Sequence, residues 1–153
     1  MDAEVYPDER IARLIVENFI PARVHVKDQA ADFKRFGERY NAPWTPTTIF
    51  LDPDGVERHR VEGFLPNDDF LAQLTVGLGQ LAFRGGDFAA SERWFQRVVD
   101  TLPKTDAAPE AQYWAGVSRY KATGDGAALG ATAKAFSERY QDTPWAKKAS
   151  VWK

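Results

Sequence analysis

The side chains that could do chemistry in this sequence are few, and their types exclude more than they allow. Cysteine is absent from all 153 residues. That removes a disulfide framework, a thiolate metal site, a cysteine nucleophile and any dithiol cycle run by these residues alone. The two histidines, His25 and His59, lie on separate segments with no Glu or Cys at ligand spacing. Each reads as a solvated or half-buried strand histidine rather than a metal ligand or general base. No Gly-X-Ser-X-Gly is present to carry a serine nucleophile. Asp52 and Asp54 lack the alternating oxygen ligands and closing Glu of a calcium loop, so they read as turn residues. Gly77-Leu-Gly79 has no third glycine at dinucleotide-binding distance and follows a helical pattern, where close helix packing or a bend is the expected use. No cofactor is implied. A second cluster is aromatic, including Phe83, Phe88, Trp94, Phe95, Tyr113 and Trp114. At helical spacing such residues fill helix pairs, with a minority free to line a peptide groove flanked by Arg84, Arg93, Arg97, Arg119 and Lys121.

Composition narrows the setting for these residues. The chain is 44% hydrophobic and 27% charged, and its 20 basic and 22 acidic side chains are mixed along it to a net charge of -2. That is a globular composition without the basic footprint of a nucleic-acid binder or of a protein held on an anionic membrane. The longest apolar runs are far below the roughly 20 residues a membrane helix needs. No leader pattern opens the sequence, and a cytoplasmic address is expected.

The elements that must position these residues follow from periodicity. Asp8 caps a helix over 8–18 with Ile11, Leu14 and Ile15 on one face. Pro21 stops it, and the alternation through Val24 and Val26 predicts a strand near 22–26. A helix over 28–40, capped by Asp28, follows. Asn41 to Pro46 is too rich in proline to continue it. A strand at 47–51, the turn Asp52-Pro-Asp-Gly55 and a return strand at 56–62 then make a hairpin. From residue 68 the pattern is helical throughout, with helices near 68–84, 88–101, 108–123, 126–140 and 144–152. Gly86-Asp87 and Gly124-Asp125 are 38 residues apart, and that offset also pairs Ala90 with Ala128, Val98 with Phe136 and Ala111 with Ala149. This is an internal repeat of helical-hairpin size. The fold class expected is α/β: a partial sheet with helices, then helical hairpins.

The segment 8–74 resembles about the last two-thirds of a thioredoxin-like domain. The residues that carry the resemblance are Trp44-Thr-Pro-Thr-Thr-Ile-Phe-Leu-Asp52, then Asp54-Gly55, then Arg60-Val-Glu-Gly-Phe64. Residues from 77 onward resemble tetratricopeptide repeats, as in Gly86-Asp-Phe-Ala-Ala-Ser-Glu-Arg-Trp-Phe95. The division implied is a partial thioredoxin-like domain at 1–76 and tetratricopeptide-like repeats at 77–153. The first resemblance implies a cis bond at Thr45-Pro46. It also implies a loop, Trp44, Thr45 and Pro46, that binds the extended backbone of a substrate or partner protein. The parent family catalyses thiol-disulfide exchange, which these residues, lacking the Cys-X-X-Cys motif and the central strand before it, are not expected to perform. Three arrangements account for that lack: a natural start farther upstream, a shortened chain, or a strand supplied by another chain. Without a central strand the edges of 22–26 and 47–51 lack a neighbour, and a homodimer through exposed strand edges is expected. The rival reading is a non-catalytic module that binds a protein or peptide through the helical repeats.

Overall fold

The computed structural model describes residues 1–153. It has a mixed α/β architecture of seven α-helices, one antiparallel hairpin and a short 3₁₀ helix. The chain divides into two compact units, Met1–Asn67 and Asp68–Lys153.

In the first unit, α1 (Glu9–Asn18) starts at Asp8, whose carboxylate accepts the Arg10 backbone N–H at 2.9 Å. Ile11 and Leu14 form its buried face. The chain leaves α1 through Phe19, which sits edge-on to Phe50 with ring centroids 5.6 Å apart. The strand expected near 22–26 does not form. Its hydrogen bonds are local: the His25 N–H donates to Gln29 Oε1, and the Gln29 N–H donates to the His25 carbonyl, both at 2.9 Å. A strand persists only where a neighbour takes its backbone groups, and the sheet has two strands, neither of which is this segment. Asp28 is likewise not the helix cap. Its carboxylate pairs with His25 Nδ1 at 2.8 Å, and α2 (Ala30–Arg39) begins at Gln29 with no side-chain cap.

The C-terminus of α2 closes in a Schellman motif. The Ala42 N–H donates to the Gly37 carbonyl at 2.8 Å, and Asn41 takes the left-handed position at φ 46°. The helix is therefore stopped by Asn41, before the prolines are reached. β1 (Thr47–Leu51) pairs antiparallel with β2 (Glu57–Glu62), from Thr47 opposite Glu62 to Phe50 opposite His59, with a bulge before Leu51. Phe50 and Val61 are the buried side chains of the hairpin. Asp52 closes the turn, accepting the N–H groups of Asp54 and Val56 at 3.0 and 2.9 Å on one oxygen and Arg58 Nε at 2.7 Å on the other. The Val56 bond is the main reason its carboxyl lies below the usual range.

The second unit is helical: α3 (Asn67–Arg84), α4 (Phe88–Thr101), α5 (Ala108–Thr123), α6 (Ala127–Glu138) and α7 (Pro144–Ala149), ending in the 3₁₀ turn Ser150–Trp152. Two successive helical hairpins use the same turn chemistry. Gly86 (φ 84°) and Gly124 (φ 72°) leave the first helix of each pair in the left-handed region that glycine adopts at low cost. Asp87 then caps α4 by accepting the Ala90 N–H, and Asp125 accepts the Ala127 N–H at the start of α6. The helices also approach at equivalent points. A Cβ on Gly79 would lie 2.7 Å from the Phe95 ring, and one on Gly116 would lie 1.8 Å from Thr132 Oγ1. These packing points are 37 residues apart while the turns are 38 apart. The structural equivalence inside the helices is therefore one residue shorter than the sequence offset suggests, and Phe95 corresponds to Thr132. The buried hydroxyl of Ser91 donates to the Gly79 carbonyl at 3.0 Å and is 2.9 Å from Ser118 Oγ, tying α3, α4 and α5 together.

Candidate functional site

The loop 41–47 is fixed at both ends by partners that sequence spacing alone does not show. Arg60, on β2, reaches back to the end of α2. One Nη donates to the Tyr40 carbonyl and the other to the Asn41 carbonyl at 3.1 Å. The guanidinium is itself gripped by Glu57 in a bidentate pair (2.6 and 2.7 Å) and by Glu62 at 2.9 Å. Those carboxylates raise the Arg60 pKa, and the Arg60 hydrogen bonds in turn lower that of Glu57. A planar fork with five donors suits this role, since it satisfies two carboxylates and two helix-terminal carbonyls together.

At the far end, the Gly63 N–H donates to the Pro46 carbonyl at 2.8 Å, and Thr47 Oγ1 donates to the Trp44 carbonyl at 2.7 Å. The Thr45–Pro46 peptide bond is cis. Pro46 thus stands at the entrance to β1, with Thr45 exposed beside it. Trp44 is 67% exposed. That exposure is not the one a core tryptophan would show. The loop therefore holds a large aromatic side chain in solvent on an anchored backbone, an arrangement suited to contact with another chain.

The other sequence candidates separate. His25 stands in the turn before α2, paired with Asp28, and His59 lies against Phe50 on β2 with centroids 5.2 Å apart. No group of three or more His, Cys, Asp or Glu is placed to hold a metal ion. Gly79 serves the helix approach described above. Among the aromatic residues, Trp114 meets Phe83 at 5.1 Å and Phe95 at 6.4 Å, and Tyr113 stacks on Trp152 at 4.9 Å. Three of the five cations expected to rim a groove make local contacts. Arg119 lies 3.7 Å from Glu92, Arg97 sits over Trp94 and Lys121 over Phe88. Arg93 and Arg97 line a shallow surface depression of α4 together with Glu92 and Asp100.

Arg60 enters the sequence reading only as part of the resemblance, and its hold on the candidate loop is not visible there. The available signal was Glu57, Arg60 and Glu62 on one short strand, a charge alternation that normally means a solvated edge.

Residues 1–76 match a family described as a thioredoxin-like domain. This segment is a thioredoxin-like domain, which places it in the thioredoxin superfamily. No curated protein and no solved structure matches the chain. No helix is long and apolar enough to cross a membrane.

Proposed function

We propose that these 153 residues form a protein-binding module. The thioredoxin-like domain takes up an extended segment of a partner through Trp44, Thr45 and Pro46, and a tetratricopeptide-like part at 77–153 adds a second surface. The observation that carries this reading is the 67% exposure of Trp44 on a loop anchored at Arg60, Thr47 and Gly63. Family resemblance supports it, because the corresponding loop of thioredoxin-like proteins contacts substrate backbone. The repeat reading is supported by the paired turns at Gly86-Asp87 and Gly124-Asp125 and the paired approaches at Gly79 and Gly116. The parent activity, thiol-disulfide exchange, is not assigned to these residues, which contain no cysteine.

Calorimetric titration with an unfolded polypeptide whose cysteines have been alkylated tests the loop, since binding then owes nothing to thiol chemistry. Trp44→Ala is expected to weaken binding about tenfold or more, the usual effect of truncating an aromatic anchor, while leaving the circular dichroism unchanged. Equal affinities in the two proteins would remove the loop from the site.

A further inference from the structure

The seam between α5 and α7 gathers a carboxylate and three aromatic rings. Glu110 stands in the first turn of α5. Its carboxylate accepts no hydrogen bond; burial pushes its pKa up, and the charge of Lys148 on α7 pulls it part of the way back. Tyr113 follows three residues later and so shares that side of α5. Its ring is stacked on Trp152 at 4.9 Å and meets Trp145 at 5.3 Å. Trp145 belongs to α7, and Trp152 to the 3₁₀ turn that follows it. Glu110, Tyr113, Trp145 and Trp152 are all half-buried, so the cluster is a recess that solvent still reaches. Withdrawing a carboxylate from water without giving it a partner costs stability, and a group kept in that state is a candidate for binding.

The cluster already holds a cation. Lys148 Nζ lies 4.0 Å from the centre of the Trp145 ring, within the range of cation–π attraction. It is near enough to Glu110 to affect that group's pKa, yet the two form no ion pair. Lys148 is three residues from Trp145 on the same short helix, and its side chain is exposed. It can therefore leave the ring by a change of rotamer, with α7 intact.

We propose that Glu110, Tyr113 and Trp145 form a site for a primary ammonium group, the side chain of a lysine in a partner polypeptide, and that Lys148 is its internal occupant. The incoming ammonium takes the place of Lys148 on the Trp145 ring. Free of the tether that confines Lys148, it also donates to the Glu110 carboxylate. An ammonium has three N–H donors for this, and a quaternary ammonium has none. The site gives a chemistry to the second surface proposed above and rests on that reading for its natural ligand, while the Trp44 loop takes no part in it.

Nα-acetyl-lysine N-methylamide, whose side chain is its one charge, is the probe, and the indole N–H signals of the 153-residue protein are the readout. Saturable shifts are expected at Trp145 and Trp152, with Trp44 unmoved. Glu110→Gln keeps the shape of the side chain and removes the charge that burial disfavours, so it should fold at least as well as wild type. It is expected to weaken binding about tenfold. Lys148→Ala removes the internal occupant and is expected to tighten binding about threefold, an effect opposite to that of losing a structural contact. Tetramethylammonium is expected to bind more weakly than the lysine derivative. Indole signals that stay fixed in Lys148→Ala overturn the proposal, as does an affinity that Glu110→Gln leaves unchanged, that Lys148→Ala lowers, or that tetramethylammonium matches. Trp44→Ala leaves this titration unaltered whether or not the loop binds polypeptide, so the two readings fail separately.

Discussion

Arg60 holds the candidate loop in place from outside the loop. Its guanidinium satisfies two carboxylates and two carbonyls at the end of α2, so removing it leaves several partly buried groups unpaired at once. Arg60→Ala is expected to cost about 1–3 kcal/mol, read as a lowered denaturation midpoint. Arg60→Lys should recover little, because an ammonium cannot grip Glu57 through two parallel bonds. A lysine variant as stable as wild type would show that charge alone suffices. Asp8 offers a pH test. The Arg10 side-chain hydrogen bond is the largest of the effects that pull its carboxyl from 3.8 down to about 2. A carboxylate whose folded pKa is lowered contributes stability that is complete above its ordinary value and is lost as pH falls through the folded one. Wild-type stability should therefore fall more steeply between about pH 4 and pH 2 than that of Asp8→Asn. Parallel curves would contradict the pairing.

At the scale of elements, close approach in the helical hairpins rests on two glycines. Gly79→Ala must push the Phe95 ring and Gly116→Ala must push Thr132, each at a cost of about 1–3 kcal/mol. Gly126→Ala meets open space and should be neutral or slightly stabilising. Thermal melts of the three variants check the ordering, and a Gly79→Ala protein as stable as wild type would refute the packing. Much of this scaffold is legible in the sequence, because capping aspartates, turn glycines and apolar stripes act locally. Asp8 and Asp52 are readable for that reason, and Asp87 only as part of a Gly-Asp turn. The strand near 22–26 was misread because alternation at Val24 and Val26 states a preference, whereas a strand also needs a neighbour, which local sequence does not contain. Asp28 was misread as a cap because a nearby histidine competed for its carboxylate. The turns recur at 38 residues, as the sequence shows, while the packing points recur at 37, a register set by contacts between helices that are not visible in the turns.

At the scale of the molecule, a thioredoxin-like domain at 1–76 is joined to a unit built of helical hairpins. Trp44, Thr45 and Pro46 could be nominated only through the resemblance, since nothing in their spacing demands chemistry. The Arg60 anchor is hidden for another reason: the carbonyls of Tyr40 and Asn41 that it holds lie about twenty residues away in the chain. The central claim is that the anchored loop, rather than the helices, makes first contact with an extended polypeptide. Amide chemical-shift mapping during titration with the alkylated, unfolded polypeptide tests it most directly. The account predicts the largest perturbations at residues 44, 45, 47 and 63, around the exposed Trp44 and the Gly63 amide that holds Pro46. Perturbations confined to α3 through α7, with that loop silent, would contradict it.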